Sequence, residues 1–111
     1  MSGKVETFTI ASSGTHSDAI AGKGSRLRGL LLPALDSTTI QFEASFDGGT
    51  TWVDVYTNSG TPAALTLGTA STGSRVQAVP EEVGWISAVA QIRLRVASQT
   101  GGARTIKSVW E

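Results

Sequence analysis

The residues of this chain whose types and spacing could do chemistry lie in one short stretch, Ser45 to Trp52, which reads SFDGGTTW. A hydroxyl (Ser45) stands two residues from a carboxylate (Asp47), a second hydroxyl follows at Thr51, and Trp52 offers a large aromatic face. Nucleophilic catalysis would require a general base beside Ser45. The sequence has one histidine, His16, among Ser, Thr and Gly, and it has no cysteine. No local arrangement therefore completes a triad, a His-based metal site or a thiolate site. Asp47, Asp54 and Glu43 could offer oxygen atoms to calcium, but they lack the spacing of the twelve-residue calcium loop.

A structural role accounts for every residue of the stretch. Asp47-Gly48-Gly49 is a hairpin signal, because glycine adopts the backbone angles that a tight reversal demands. The Asp47 carboxylate is placed to accept hydrogen bonds from the loop's own N–H groups, and Trp52 covers the turn. The elements on either side support this reading. In TTIQFEASF, Ile40, Phe42, Ala44 and Phe46 alternate with Thr39, Gln41, Glu43 and Ser45, as in a strand with one buried face. Trp52 to Tyr56 reads as the returning strand.

Alternation recurs in QIRLRVA, where Ile92, Leu94 and Val96 point inward and Arg93 and Arg95 point to solvent. Shorter strand patterns occur in KVETFTIA, RLRGLLL before Pro33, AALTL, SRVQAV and RTIKSVW. Polar turn clusters separate them, including SSGTHS, NSGTP, TASTGS (69–74) and SQTGG (98–102). No stretch sustains a helical period. Seven to eight short strands predict an all-β, antiparallel β-sandwich of jelly-roll type. At 111 residues one domain is expected, with residues 1–24 as an N-terminal strand plus a polar arm or loop, and 25–111 as the sandwich.

Composition excludes further classes. Nine basic and nine acidic side chains cancel, so no electrostatic footprint for nucleic acid or an anionic membrane is present. No signal peptide or membrane-spanning run is expected. GKGSRLRG carries fragments of a phosphate loop, but in the wrong order and before a strand. Lys23, Arg26 and Arg28, like Arg93 and Arg95, are instead candidate protein-contact residues, together with His16. Trp110 reads as the freest of the three tryptophans, a candidate for an interface or for stacking on sugar, whereas VGWISAVA places Trp85 in the core or at an interface.

Two resemblances add to this. Ser45, Asp47, Gly49, Thr51 and Trp52 match the Asp-box of sialidase-type propellers, in which the box is a fold element away from the catalytic centre. Over LRGLLLPALDSTTIQFEASFDGGTTWVDVY the chain resembles small β-rich structural proteins of tailed bacteriophages. Gly29, Leu31, Pro33, Phe42, Ser45, Asp47, Gly48, Gly49, Thr50 and Trp52 carry that likeness. It implies a non-enzymatic virion protein without cofactor, assembled in the host cytoplasm. The expected role is a capsid decoration or cement protein, or the base of a head fibre. Its expected partners are the major capsid protein or other virion subunits and its own copies, a trimer being favoured. A neck or tail position, or a carbohydrate-binding module of β-sandwich type, is the alternative. The segment IASSGTHSDAIAGKG, residues 10–24, is expected to order against a neighbouring subunit or the shell surface.

Overall fold

The computed structural model describes residues 3–35, 39–66, 72–97 and 102–111. Along the chain run β1 (Lys4–Ile10), β2 (Ile20–Ala21), β3 (Leu27–Ala34), β4 (Thr39–Ser45), β5 (Val53–Asp54), β6 (Ala64–Thr66), β7 (Thr72–Ala78), α1 (Glu81–Ser87), β8 (Gln91–Arg95) and β9 (Arg104–Trp110). They form two antiparallel sheets. The first has the order β1-β9-β3-β7, and the second the order β2-β8-β4-β5, with β6 also paired to β4. β5 lies opposite Glu43 and Ala44 and β6 opposite Thr39 to Gln41, so the two share one edge of β4. Taking β5 and β6 as one interrupted edge gives two four-stranded sheets in jelly-roll order. That interruption is why nine strands are seen among the described residues where seven to eight are expected from the sequence.

The inner faces of the sheets form one core. The first sheet supplies Phe8, Ile10, Leu27, Leu30, Leu32, Ile106 and Trp110, and the second Ile40, Phe42, Ala44, Leu65, Ile92 and Leu94, all buried. A strict alternation along β3 could not place both Leu27 and Leu30 inside. The register against β9 slips between Leu27 and Gly29, and this bulge turns Leu30 and Leu32 to the core beside Leu27 while Arg28 stays exposed.

Several sequence expectations are corrected. No helical stretch is expected, yet α1 begins at Glu81 directly after Pro80, with two acidic residues in its first turn, and takes up the start of VGWISAVA. Pro presets a helical φ and acids suit the first turn, so the signal is there, but seven residues are too few to show a period. The helix buries Val83 and Gly84. A side chain at Gly84 would stand 3.1 Å from the Leu27 carbonyl oxygen, so the glycine lets α1 lie close on β3. Trp85 consequently faces outward at 53% exposure instead of entering the core. Phe46, expected inside, is 68% exposed because β4 ends at Ser45 and the alternation ends with it.

Trp110 is also corrected. It is fully buried, and its indole N–H donates to Ser108 Oγ at 2.8 Å. Period two along β9 puts Ile106, Ser108 and Trp110 on one face, and that face is the core side. Residues 12–24 lie along β8 of their own chain: Ser17 N–H donates to Leu94 O, Val96 N–H to Thr15 O, and Ile20 and Ala21 pair with Ile92 and Gln91. Of the turn clusters at 69–74 and 98–102, Thr72, Gly73 and Ser74 already belong to β7, while 69–71 and 98–101 lie outside the described residues. No helix among the described residues is long and apolar enough to cross a membrane.

Candidate functional site

The 45–52 turn is held by its own side chains. Ser45 Oγ donates to Asp47 Oδ1 at 2.8 Å and accepts the Gly49 N–H at 2.8 Å. Asp47 Oδ1 also accepts the Thr51 N–H at 2.8 Å, and the Trp52 indole N–H donates to the Gly49 carbonyl at 3.1 Å. Gly48 and Gly49 take φ of 74° and 93°, the left-handed region that side chains disfavour. The Thr51 N–H, and after it the Ser45 and Thr51 hydroxyls, hold the Asp47 carboxyl below its ordinary value of 3.8 by favouring the charged form.

Trp52 folds back over the outer face of the second sheet, and there the structure adds what the sequence does not display. Antiparallel register sets Glu43 on β4 opposite Arg93 on β8 and opposite Asp54 on β5. Arg93 Nε donates to Glu43 Oε1 at 2.6 Å, and its guanidinium carbon lies 4.4 Å from the Trp52 ring centroid. Arg95 bridges Glu43 at 3.5 Å and Asp54 at 3.4 Å. His16, paired across from Arg95, brings Nε2 to 3.6 Å from Glu43 Oε1, and Thr15 Oγ1 is 3.0 Å from His16 Nδ1. Glu43 is thus a buried carboxylate, 7% exposed, at the centre of two arginines and a histidine.

The row Thr15, His16, Glu43 has the outline of a triad, but Glu43 is committed to Arg93 and Arg95 and is not left to polarise the imidazole. Ser45 is committed to Asp47. Among the described residues no group of three or more His, Cys, Asp or Glu could hold a metal ion. The arrangement stiffens a sheet face. It also corrects the expected solvation of Arg93 and Arg95, whose side chains are 25% and 36% exposed and engaged with acids.

The sequence-derived contact residues fall into separate groups. His16, Arg93 and Arg95 join the Glu43 network together with Trp52 of the turn. Lys23, at φ 51°, lines a recess with Phe46, Gly48 and Val89 at one end of the sandwich. Arg28 lines another with Glu81 and Gly84, and exposed Arg26 exchanges backbone hydrogen bonds with Glu111. Trp110 lies in the core between the two sheets. Sequence reasoning missed Glu43 as an organising centre. Its place opposite Arg93 depends on register between segments 50 residues apart.

No family model matches the sequence, and no curated protein matches it closely enough to count as a relative. Solved structures do match. Protein YomS, derived from the SPBc2 prophage, superposes with a TM-score of 0.55 at 14% identity, over 99% of this chain and 95% of that one. A mitogen from Yersinia pseudotuberculosis reaches a TM-score of 0.39 at 12% identity, covering 98% and 84%. The core of Drosophila NLP reaches 0.37 at 10% identity, covering 97% and 95%. The first likeness is one of overall fold at matched length. The other two are too loose to bear on function.

Proposed function

We propose that this protein is a non-enzymatic component of a bacteriophage particle, a capsid decoration or cement protein that binds the shell and its own copies, three to an assembly. The observation that carries the reading is the superposition on a prophage-derived protein along nearly the whole of both chains. Chemistry at the best-formed site supports it. The polar side chains of the turn and the Glu43 face bond one another, as suits a part that must persist rather than turn over. A neutral chain with no cysteine suits assembly by surface fit in the host cytoplasm.

A carbohydrate-binding module would need an exposed aromatic platform; Trp110, the ring first favoured for that task, is enclosed in the core, and the exposed tryptophan is Trp85 on α1. Trp52 is covered on one side by Arg93.

The test is quantitative mass spectrometry of density-purified particles from the producing culture, counting this chain against the most abundant shell protein. A simple ratio, such as one to one or one to three, is expected. A few copies per particle would move the protein to the neck or tail, and absence from particles would refute the reading.

A further inference from the structure

Strand β1 stands at the edge of the first sheet, and among the named strands it pairs only with β9. Its Phe8 and Ile10 side chains are fully buried between the sheets, so the seat of β1 must be filled for the core to close. The segment that follows it covers its other edge. Thr9 N–H donates to Asp18 Oδ1 at 2.8 Å, and Asp18 N–H donates to the Thr9 carbonyl at 3.1 Å. That segment has an anchorage of its own on the second sheet: Ser17 N–H donates to Leu94 O at 2.9 Å, Leu94 N–H to Ser17 Oγ at 2.8 Å, and Val96 N–H to Thr15 O at 2.8 Å. Departure of β1 therefore leaves residues 15–18 fixed to β8 and parts no other pair of named strands.

A four-residue turn, Ala11 to Gly14, joins β1 to that anchorage, closed by a 2.8 Å bond from the Gly14 N–H to the Ala11 carbonyl. Its third residue, Ser13, has φ 61°, a sign that Lys23 alone shares among the described residues other than glycine. A positive φ at the third position only is the type II arrangement, in which glycine is the residue suited to that place. Here the glycine comes one residue later. A Cβ at Gly14 would stand 2.9 Å from the Ala11 carbonyl oxygen, so the turn needs that glycine where it is and leaves a side chain at Ser13. Holding an L residue in the left-handed region disfavours the closed turn by roughly tenfold.

We infer that the Ala11–Gly14 turn is a hinge on which β1 swings out and seats beside β9 of a second copy of this chain, whose own β1 has been passed on in the same way. The seat names its occupant. It takes two large apolar side chains two residues apart, opposite Ile106 and Arg104, with a backbone N–H between them for Asp18, and β1 of another copy brings all three. Exchange creates no new surface: each contact made within the closed chain is made between chains instead. The balance therefore turns not on added area but on hinge strain against the cost of bringing copies together. Opening the hinge releases the strain at Ser13 and favours exchange by roughly tenfold per hinge, and crowding of copies favours it further. The inference deepens the proposed self-association, resting on it for that crowding, and names the element that passes between copies. Its test needs no virus particle, so its failure and that of the particle count are told apart.

The experiment uses the full chain with a disulfide as reporter, since the natural sequence has no cysteine. Thr9 turns its N–H and carbonyl away from β9 toward Asp18, so by the alternation of the ladder Val5 also forms a non-hydrogen-bonded pair with its partner Val109. Such pairs hold their Cα atoms about 4.5 Å apart, within disulfide range, and both side chains are exposed. The double variant Val5→Cys with Val109→Cys is held at on the order of 1 mM, the effective concentration of tethered neighbours, until its linked fraction is constant, and is then oxidised. A non-reducing denaturing gel is expected to show products of two or more linked chains, whereas the same variant oxidised dilute should run as the 11.5 kDa chain. Val109→Cys alone gives the level of chance linkage. Added to the double variant, Ser13→Gly should lower the exchange constant about tenfold per hinge, and Ser13→Pro, which cannot hold a positive φ, should raise it. Circular dichroism with a melting curve establishes that each variant folds, and if Ser13→Pro does not, Ser13→Gly decides. Single chains at both concentrations, linkage no greater than that of Val109→Cys alone, or a linked fraction unmoved by Ser13→Gly would overturn the inference.

Discussion

Replacing Arg93 by Leu tests whether the polar face of the second sheet is one energetic unit. The substitution keeps an apolar stem under Trp52 and removes the 2.6 Å bond to Glu43 together with the charge over the indole ring. At an effective dielectric constant of about 20, two charges about 4 Å apart attract by about 4 kcal/mol. Arg95 at 3.5 Å still faces Glu43, and at 25% exposure Arg93 leaves room for water to enter, so part of that is recovered. With about 0.5–1 kcal/mol for the lost cation–π contact, the net loss is roughly 3 kcal/mol. For a chain of this size that lowers the melting temperature by about 12 °C. Glu43→Leu combined with Arg93→Leu should return to within about 1 kcal/mol of the natural protein, since no buried charge is then left behind. Arg95 keeps Asp54 in that variant. Urea denaturation at constant m gives the four free energies of the cycle. A single-variant loss under about 0.5 kcal/mol, or additivity of the two substitutions, would refute the idea that Glu43 organises the face.

Two further outcomes are expected. Ser108→Ala leaves the fully buried indole N–H of Trp110 without its acceptor and should cost about 1–3 kcal/mol, read by urea denaturation followed by tryptophan fluorescence. Because Asp47 has its carboxyl held below 3.8 in the folded chain, its stabilising contribution is full above that pH and is lost as pH falls through the folded value. Melting curves from about pH 5 to about pH 2 should therefore fall less steeply for Asp47→Asn than for the natural protein.

The layered β architecture is legible in the sequence wherever a strand has one wet face, as in β4 and β8, because alternation reports burial directly. The turn at 45–52 is legible for a different reason: all its bonds are local, so Ser45, Asp47, Gly49 and Trp52 reveal it by type and spacing. What was not legible depends on partners distant in sequence. Nothing near Glu43 announces Arg93, and Trp110 is buried because Leu27 and Lys4 lie beside it on neighbouring strands. The bulge in β3 and the short helix α1 each break a pattern over too few residues for the pattern itself to report the break.

The pairing of β1 with β9 along seven residues, from Lys4 opposite Trp110 to Ile10 opposite Arg104, bears on how the chain folds. β1 thus has its sheet neighbour about a hundred residues further along the sequence. β3 finds β7 at a shorter separation but meets β9 only across about eighty residues of sequence, so the sheet is complete only when β9 joins it. Folding rates fall as native contacts become more distant in sequence, and this topology belongs with the β domains that take milliseconds to seconds. During that interval the apolar strand segments stand open to one another's edges in the crowd of nascent copies. The seating of β9 between β1 and β3 is therefore a long-range step that completes the first sheet.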